Sequence, residues 1–439
     1  MARYIEPRIL KGFRDFLPPA EIARRDLEEK IETSFRSFGF VPIDTPALEY
    51  AEILLGKGGG ETEKQIYRFR DNGDREVALR FDLTVPFARF IALHQGELTL
   101  PFKRYHIAKV WRGENTQRGR YREFTQCDFD ILGSDSAAAD FEILLMMRNT
   151  LRAIGAGDLT IRINHRGLFN RFLARLGIKE QSADILRTVD KLSKIGREET
   201  LSLLAGFLGG ERAGEVLEFI GMTGSFEEVL AAMTRAAGGP CGESERLSLI
   251  RRFMIDTGTG ASFVLDPSIT RGLDYYTGIV YETFLNGMPE IGSVCSGGRY
   301  DNLAGLYSKT PLSGVGSSIG LDRLLAALEA LGGLKSRQGY APVTIASVGE
   351  EFAGASQALA EKFREKGIPC EVLLEAPPAG GEKPLTKQFI LSEKKGARWI
   401  IIPQGNPLAD PLILRDLKSR QNREGLGPEE IILVIRGTA

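Results

Sequence analysis

The stretch WRGENTQRGRYREFTQCDFDILG, residues 111–133, carries Arg112, Arg118, Arg120 and Arg122 within eleven residues, then turns acidic at Asp128 and Asp130. Fold stability alone rarely asks for that many guanidinium groups, whose planar fork suits phosphate and carboxylate. Alternation puts Arg112 and Glu114 on one face of an outgoing strand. On the return, Phe124, Gln126, Asp128 and Asp130 share a face, and Cys127, Phe129 and Ile131 share the other. A face that repeats Gln and Asp is either solvated and balanced by salt bridges or built around a polar ligand, because buried carboxylates carry a heavy desolvation cost.

A second chemical signal sits in GSSIGLDRLLAALEAL. Arg323 falls in the first turn of an amphipathic helix whose apolar stripe is Leu321, Leu324, Leu325 and Leu328. The helix dipole disfavours a cation there, so either an anionic ligand binds at this end or Arg323 pairs with Asp322 or Glu329. RGLDYYTGIVYET adds Arg271, Asp274, Tyr275 and Tyr276 just before a strand. SVCSGGRYDNLAG sets two glycines before Arg299 and Tyr300, where backbone could approach a ligand closely. Each of the two is equally compatible with a tight turn and ordinary aromatic packing.

Several other chemistries find no support. GKGGGETEK (56–64) lacks the spacing of a phosphate loop, and GVGSSIG (314–320) is one residue too long for a dinucleotide fingerprint and belongs to no βαβ unit. His94, His106 and His165 form no H-x-x-x-H pair, and the four cysteines form no C-x-x-C pair, so neither a metal site nor a disulfide framework is expected. Lys and Arg total 57 against 58 Asp and Glu, a net charge of -1, so attraction for a nucleic acid must come from local patches. No apolar run is long enough to span a bilayer, and MARYIEPRILKGFRDF lacks an apolar signal core; a cytoplasmic protein is expected.

The elements that must position these residues follow from periodicity. Residues 21–39 have helical spacing and a glycine stop. REVALRFDL alternates as a half-buried strand, after which Thr84 can cap a helix with Pro86 in its first turn. Residues 103–112 and 121–132 read as two strands joined by a polar loop. From about 177 to 255 the texture is helical, and strand signals return at ASFVLD, GIVYETFL and IGSVCS before the 321–331 helix. The expected class is α+β: an antiparallel sheet flanked by helices over 1–176 and 256–331, with a helical insertion at 177–255. GGLKSRQGYAP (332–342) reads as a linker. VTIASV, CEVLLE, WIIIPQ and EIILVI then read as strands alternating with helices in an α/β domain at 343–439.

Together these stretches resemble the class II aminoacyl-tRNA synthetase signatures, and within that class the histidyl-tRNA synthetase family. TPALEY is similar to the end of the first motif, with Pro46 at its dimer-forming element; WRGENTQRGRYREF resembles the second and GVGSSIGLDRL the third. RGLDYYTG and SVCSGGRYDNLAG resemble the two histidine-specific signatures, and 343–439 resembles an anticodon-binding domain. The similarity runs from about Gly12 to Leu331. It implies a homodimer that joins L-histidine to ATP and then to tRNA(His).

The resemblance also implies roles for residues. Arg112 and Arg271 would flank the α-phosphate as the catalytic cations, Arg323 would hold the γ-phosphate, Glu114 would meet the adenine amino group and Phe124 would stack on the ring. Mg²⁺ would bridge phosphate oxygens with few protein ligands. Asp82 and Thr84 would take the α-amino group of histidine; Asp130 with Tyr276 would read its imidazole, and Gln126, Arg271 and Tyr275 would complete the pocket. Gln117, Arg118 and Arg122 would meet the tRNA acceptor end; Arg120 receives no role. Some bacterial relatives have glutamates where this chain has Asp82 and Asp130, and the FDLTVPFAR and QCDFDILG wording is nearer the eukaryotic-looking branch. The alternative is the non-catalytic, synthetase-like regulatory subunit of ATP phosphoribosyltransferase, which typically lacks the C-terminal domain and has eroded ATP motifs.

Overall fold

Two ten-residue strands of the larger sheet run antiparallel without a register break, and they are the two arms of the arginine-rich hairpin. The computed structural model describes residues 4–56, 65–178, 181–269, 276–301, 305, 307, 312–334, 337–374 and 384–437. The chain divides into one unit of residues 1–14 and 27–333 and another of residues 15–26 and 334–439.

In the first unit the strands are β1 (Val41–Pro42), β2 (Leu48–Tyr50), β3 (Arg68–Arg70), β4 (Glu76–Leu79), β5 (Phe102–Trp111), β6 (Glu123–Leu132), β7 (Leu159–His165), β8 (Phe263–Leu265), β9 (Ile279–Leu285), β10 (Cys295–Tyr300) and β11 (Gly314–Gly320). Among the described residues, eight of them form one sheet in the order β1-β5-β6-β11-β10-β9-β7-β8, while β2, β4 and β3 make a small ribbon. β5 and β6 pair from Phe102 opposite Leu132 to Trp111 opposite Glu123. Cys127, Phe129 and Ile131 are buried on one face of β6. The Phe129 ring packs tilted against Phe35, whose helix (Pro18–Ser37) also buries Leu27 and Ile31. Helix Ala137–Ala153, capped by Ser136 Oγ accepting from Ala139 N at 3.1 Å, lies against β6 and β11 through an apolar stripe that includes Leu144 and Met147.

GVGSSIG and SVCSGGRY prove to contribute neighbouring strands, β11 and β10. Glycine explains why backbones come so close there. A Cβ on Gly297 would stand 2.1 Å from the Gly316 carbonyl oxygen, and one on Gly316 would stand 1.8 Å from Asp130 Oδ1. The paired glycines therefore approach a neighbouring strand as well as open space. Residues 182–256 hold six helices, from Ser182–Val189 to Gly242–Asp256.

In the second unit, β12 (Val343–Ile345), β13 (Cys370–Val372), β14 (Trp399–Pro403), β15 (Leu412–Asp416) and β16 (Asn422–Leu426) form a sheet ordered β13-β12-β14-β15-β16. β12 is parallel to both β13 and β14, and β12 and β14 are buried on both faces, as parallel strands under helices are. EIILVI, expected as a strand, is instead the helix Pro428–Arg436. Pro428 occupies its first turn, Glu430 accepts from Gly427 N, and Ile431, Ile432 and Ile435 form one buried face. The antiparallel pair β15–β16 was hidden because β16 is exposed and carries Asn, Arg and Glu.

Helix Thr84–His94 also starts differently from expectation. Thr84 makes no capping bond; Asp82 Oδ1 accepts from Val85 N at 3.1 Å and does the capping.

The space around Gly316 gives a direct test. Gly316→Ala forces a methyl into Asp130 and the Phe129 carbonyl, so the denaturation midpoint should fall by the equivalent of about 3 kcal/mol or more. An unchanged midpoint would mean that β6 and β11 can separate without cost.

Candidate active site

The hairpin loop folds back onto the helix that follows β11. Gln117 and Arg120 exchange backbone hydrogen bonds, closing a turn in which Gly119 takes φ +71°. A Cβ on Gly119 would lie 3.3 Å from the Arg323 Cα, so the turn presses directly on the first turn of helix Leu321–Ala330. Asp322 in that turn fixes the hairpin further. Its Oδ1 accepts from Arg14 at 2.5 Å and its Oδ2 from the Thr125 amide at 2.7 Å. Arg14 in turn donates to Tyr121 at 3.1 Å. Asp322 is thus committed to the N-terminal segment and β6, and Arg323 is held by the Ser293 carbonyl at 2.6 Å instead.

The result is a cleft of about 350 Å³, within the range of small-molecule sites, with unlike ends. At one end stand Arg112, Arg120 and Arg323 with Glu114 and Phe124. Arg112 Nη1 and Arg120 Nη1 each lie 3.7 Å from Glu114, and Arg112 lies 5.2 Å over the Phe124 ring while donating Nε to the Phe81 carbonyl. Burial, then the nearby Arg120, lower Arg323 to about 10, opposed by Glu114. Three guanidinium groups gathered around Glu114 in a partly dehydrated space suit an anionic ligand.

The other end is an acceptor pocket. Asp82 is 2% exposed, and its Oδ2 is buried without a hydrogen-bond partner. Burial pushes Asp82 up to about 6, against the opposing Val85 hydrogen bond and Arg112. Thr84, Gln126, Tyr276 and Tyr281 also line the cleft, as does Glu282, whose charge acts on Arg323. Gln126 Nε2 donates to Ser318 Oγ at 2.9 Å, while Oε1 is buried with no partner. Asp82 and Gln126 both line the cleft and each keeps a buried oxygen without a partner, so unpaired acceptors at this site suit a ligand rich in N–H donors.

Eight of the expected residues therefore meet in one cleft: Asp82, Thr84, Arg112, Glu114, Phe124, Gln126, Tyr276 and Arg323. Asp130 does not join them. It is 4% exposed behind the wall, where Oδ2 pairs with Arg104 at 2.5 Å and Oδ1 accepts from Tyr300 at 2.7 Å. Both oxygens are committed to these partners, and Asp130 is not among the residues that line the cleft. Arg122 likewise fastens the loop: its Nε donates to the Glu114 carbonyl at 3.2 Å and its Nη1 to that of Lys11 at 3.4 Å. Gln117 and Arg118 are exposed at the loop tip. Arg271, Asp274 and Tyr275, with most of GKGGGETEK, lie outside the described residues.

Sequence reasoning missed Arg120, Ser318, Glu282 and Asp322. Reading GVGSSIG as a strand would have found Ser318, which shares a face with Gly316 and Gly320; nothing local marks Asp322 as a tie between distant segments.

An antiparallel sheet whose hairpin loop closes on an arginine in the helix after the next strand, around a cleft suited to an anion, defines the class II aminoacyl-tRNA synthetase catalytic domain. Comparison with known proteins narrows the class. The family described as Histidyl-tRNA synthetase matches residues 12–324. The histidine–tRNA ligase of Treponema denticola is 53% identical over 405 residues, covering 91% of this chain and 89% of that one. That of Rhodopirellula baltica is 48% identical over 408 residues, covering 92% and 91%. The solved histidyl-tRNA synthetase from Nostoc sp. PCC 7120 superposes with a TM-score of 0.84 at 31% identity, covering 99% and 100%. The chain belongs to the histidyl-tRNA synthetase family. An ATP phosphoribosyltransferase regulatory subunit/histidyl-tRNA synthetase from Bacillus halodurans shares the fold, with a TM-score of 0.73 at 20% identity, covering 88% and 97%.

Two measurements separate these assignments. Asp130→Ala leaves Arg104 fully buried without its anion, so ligand-free stability should fall by about 3–5 kcal/mol. Wild-type stability with lost histidine binding would restore a recognition role. Asp82, raised from 3.8 to about 6, holds its proton more tightly in the folded state than in the unfolded chain. Its stabilisation is present at acid pH and is lost as pH rises through 6, amounting to about 3 kcal/mol. His106 and His165, pushed down to about 4 chiefly by burial, act in the opposite sense. The difference between Asp82→Asn and the unchanged protein isolates Asp82: the variant's ligand-free melting temperature should lose less between about pH 4 and pH 7. Parallel curves would show that Asp82 does not titrate there.

Proposed function

We propose that the cleft carries out histidine–tRNA ligation: L-histidine attacks ATP to give histidyl-adenylate and pyrophosphate, and histidine then passes to the 3′ end of tRNA(His). The observation that carries this reading is the polarity of one continuous cleft, with Arg112, Arg120 and Arg323 at one end and the unpaired oxygens of Asp82 and Gln126 at the other. An amino acid bound with its ammonium on Asp82 directs its carboxylate toward the arginines. That is the arrangement an in-line attack on the α-phosphorus needs.

The carboxylate of the substrate is itself the nucleophile, so the protein supplies position and charge. Arg112 would stabilise the α-phosphate, with Arg271 as the second cation on the strength of the sequence resemblance. Arg323 would bind the γ-phosphate at the helix N-terminus, and Arg120 joins it there. Phe124 would carry the adenine ring and Glu114 would accept from its amino group. Thr84, Tyr275 and Tyr276 would enclose the histidine. In the second step a terminal ribose hydroxyl attacks the acyl carbon and AMP departs.

Magnesium fits the donor chemistry. Among the described residues no cluster of three or more His, Cys, Asp or Glu could hold an ion by itself. The buried Glu282 carboxylate on the cleft wall would instead complete the coordination of a phosphate-bound Mg²⁺. The ion would supply charge neutralisation on the phosphates.

Outside the cleft, Gln117 and Arg118 are exposed for the tRNA acceptor end, and the 343–439 segment would read the anticodon. The helical 177–255 stretch would be an insertion, with residues 332–342 as the linker. Leu48 and Tyr50 remain exposed on the ribbon that follows Pro46, which favours a homodimer through the first motif. No helix among the described residues is long and apolar enough to cross a membrane; we place the protein in the cytoplasm.

ATP–pyrophosphate exchange decides the reading. Exchange should require L-histidine and magnesium, and Arg323→Gln should raise the KM for ATP by about tenfold to a hundredfold while histidine binding by calorimetry is unchanged. No histidine-dependent exchange from folded, magnesium-supplied protein would sink it.

A further inference from the structure

The last helix of the 182–256 stretch, Gly242–Asp256, is fastened to the sheet through a buried ion cluster. At its centre is Asp140, fully buried in the first turn of helix Ala137–Ala153. Its Oδ1 accepts from Arg299 Nε at 2.8 Å and its Oδ2 from Arg246 Nε at 2.5 Å. Arg299 comes from β10 and is 2% exposed; its Nη1 also donates to the Ser134 carbonyl at 3.1 Å. Arg246 comes from the 242–256 helix, 106 residues from Asp140, and its Nη1 also donates to Asp135 Oδ1 at 3.0 Å.

Such a cluster is a poor device for stability alone. Apolar side chains of similar volume commonly serve as well, whereas losing one member leaves a buried charge uncompensated. What guanidinium and carboxylate groups supply is fixed geometry, because their planar forks meet in few ways. The cluster therefore matters for what it holds in place.

It holds the segment 276–278, whose first residue lines the cleft. The Arg299 carbonyl accepts from Thr277 N at 2.8 Å, and the Arg299 stem lies against Gly278, where a Cβ would stand 3.0 Å from Arg299 Cδ. Gly298, the residue before, leaves room for the Tyr276 ring: a Cβ there would stand 2.9 Å from Tyr276 Cδ1. Arg166 holds the same segment. Its Nη1 donates to the Tyr276 carbonyl at 3.0 Å and its backbone N to the Gly278 carbonyl at 2.9 Å. A shift of Arg299 thus moves the backbone that carries Tyr276. Contacts run without a gap from Arg246, through Asp140 and Arg299, to the cleft.

We propose that Arg246 is a positioning residue for amino-acid selection: acting through Asp140 and Arg299, it makes the last helix of the helical stretch part of the support that sets the Tyr276 ring against histidine. This rests on the reading of Tyr276 as a histidine contact. Arg246 touches no substrate, and none of these contacts involves Arg112, Arg120 or Arg323.

The test is steady-state ATP–pyrophosphate exchange by the full chain, with L-histidine and ATP varied separately. Arg246→Met keeps an aliphatic stem but removes the fork. It should raise the KM for histidine by about fivefold or more, with the KM for ATP and kcat at saturating histidine within about twofold. Arg246→Lys, with one ammonium in place of the fork, should show a smaller rise of the same kind. Arg251 of the same helix is the control, because it pairs with Glu227 of helix Phe226–Ala236 at 2.7 Å, within the helical stretch. Arg251→Met should leave the histidine KM within about twofold. In a Tyr276→Ala background, where the positioned ring is gone, Arg246→Met should add no further loss. An unchanged histidine KM in folded Arg246→Met overturns the proposal. So does an equal loss for ATP, an equal loss from Arg251→Met, or a further loss in the Tyr276→Ala background. If Arg246→Met does not fold, Arg246→Lys decides by the same criteria. Exchange that ignores histidine in the unchanged protein would overturn the functional reading instead.

Discussion

The Asp322 carboxylate holds the cleft together. One oxygen takes the guanidinium of Arg14 and the other the amide of Thr125, so a single buried side chain joins the N-terminal segment, the returning hairpin strand and the helix after β11. Arg323 is the next residue, and Gly119 of the loop turn rests on its Cα. The distances among the arginines are consequences of this tie. Charge-assisted bonds to both carboxylate oxygens are strong and directional, and they satisfy a group that would otherwise be costly to bury.

With the scaffold held that way, the cleft stores unfavourable electrostatics in both directions. Arg112, Arg120 and Arg323 repel one another enough, with burial, to lower Arg323. Asp82 is raised toward neutrality by burial, and its second oxygen has no partner. A zwitterionic amino acid beside a triphosphate relieves both at once, and no reorganisation of the protein is needed at the moment of reaction. The buried layer behind the wall serves a different end. Arg104 and Tyr300 each take one oxygen of Asp130, and Arg104 also lies 4.0 Å over the Phe87 ring, so the buried carboxylate is balanced by a cation and a hydroxyl.

Much of the architecture is legible in local patterns. The hairpin arms, the amphipathic helix at 321–330 and the apolar strands of the second unit follow from periodicity, because burial of one face imposes a period on the chain. Where local reading failed, an interaction from elsewhere decided. EIILVI is apolar enough for a strand, but Pro428 and the Gly427–Glu430 cap start a helix. GVGSSIG looks like a loop until Gly297 and Asp130 are seen to need the space its glycines leave.

The residue types of the site, and the family they belong to, were determined by the sequence alone: an arginine at a helix start, a Gln–Asp face and a cluster of guanidinium groups are chemical oddities that local packing does not explain. Which of those residues reach the ligand was decided only by tertiary structure. Asp130 and Asp128 share a strand face with Gln126, yet only Gln126 lines the cleft; Asp130 is consumed by Arg104 and Tyr300, and Arg122 by two carbonyls. The reason is physical: a strand fixes the face a side chain occupies, but the partners that claim its oxygens or protons are set by the tertiary structure, Tyr300 lying 170 residues from Asp130 and Lys11 lying 111 from Arg122.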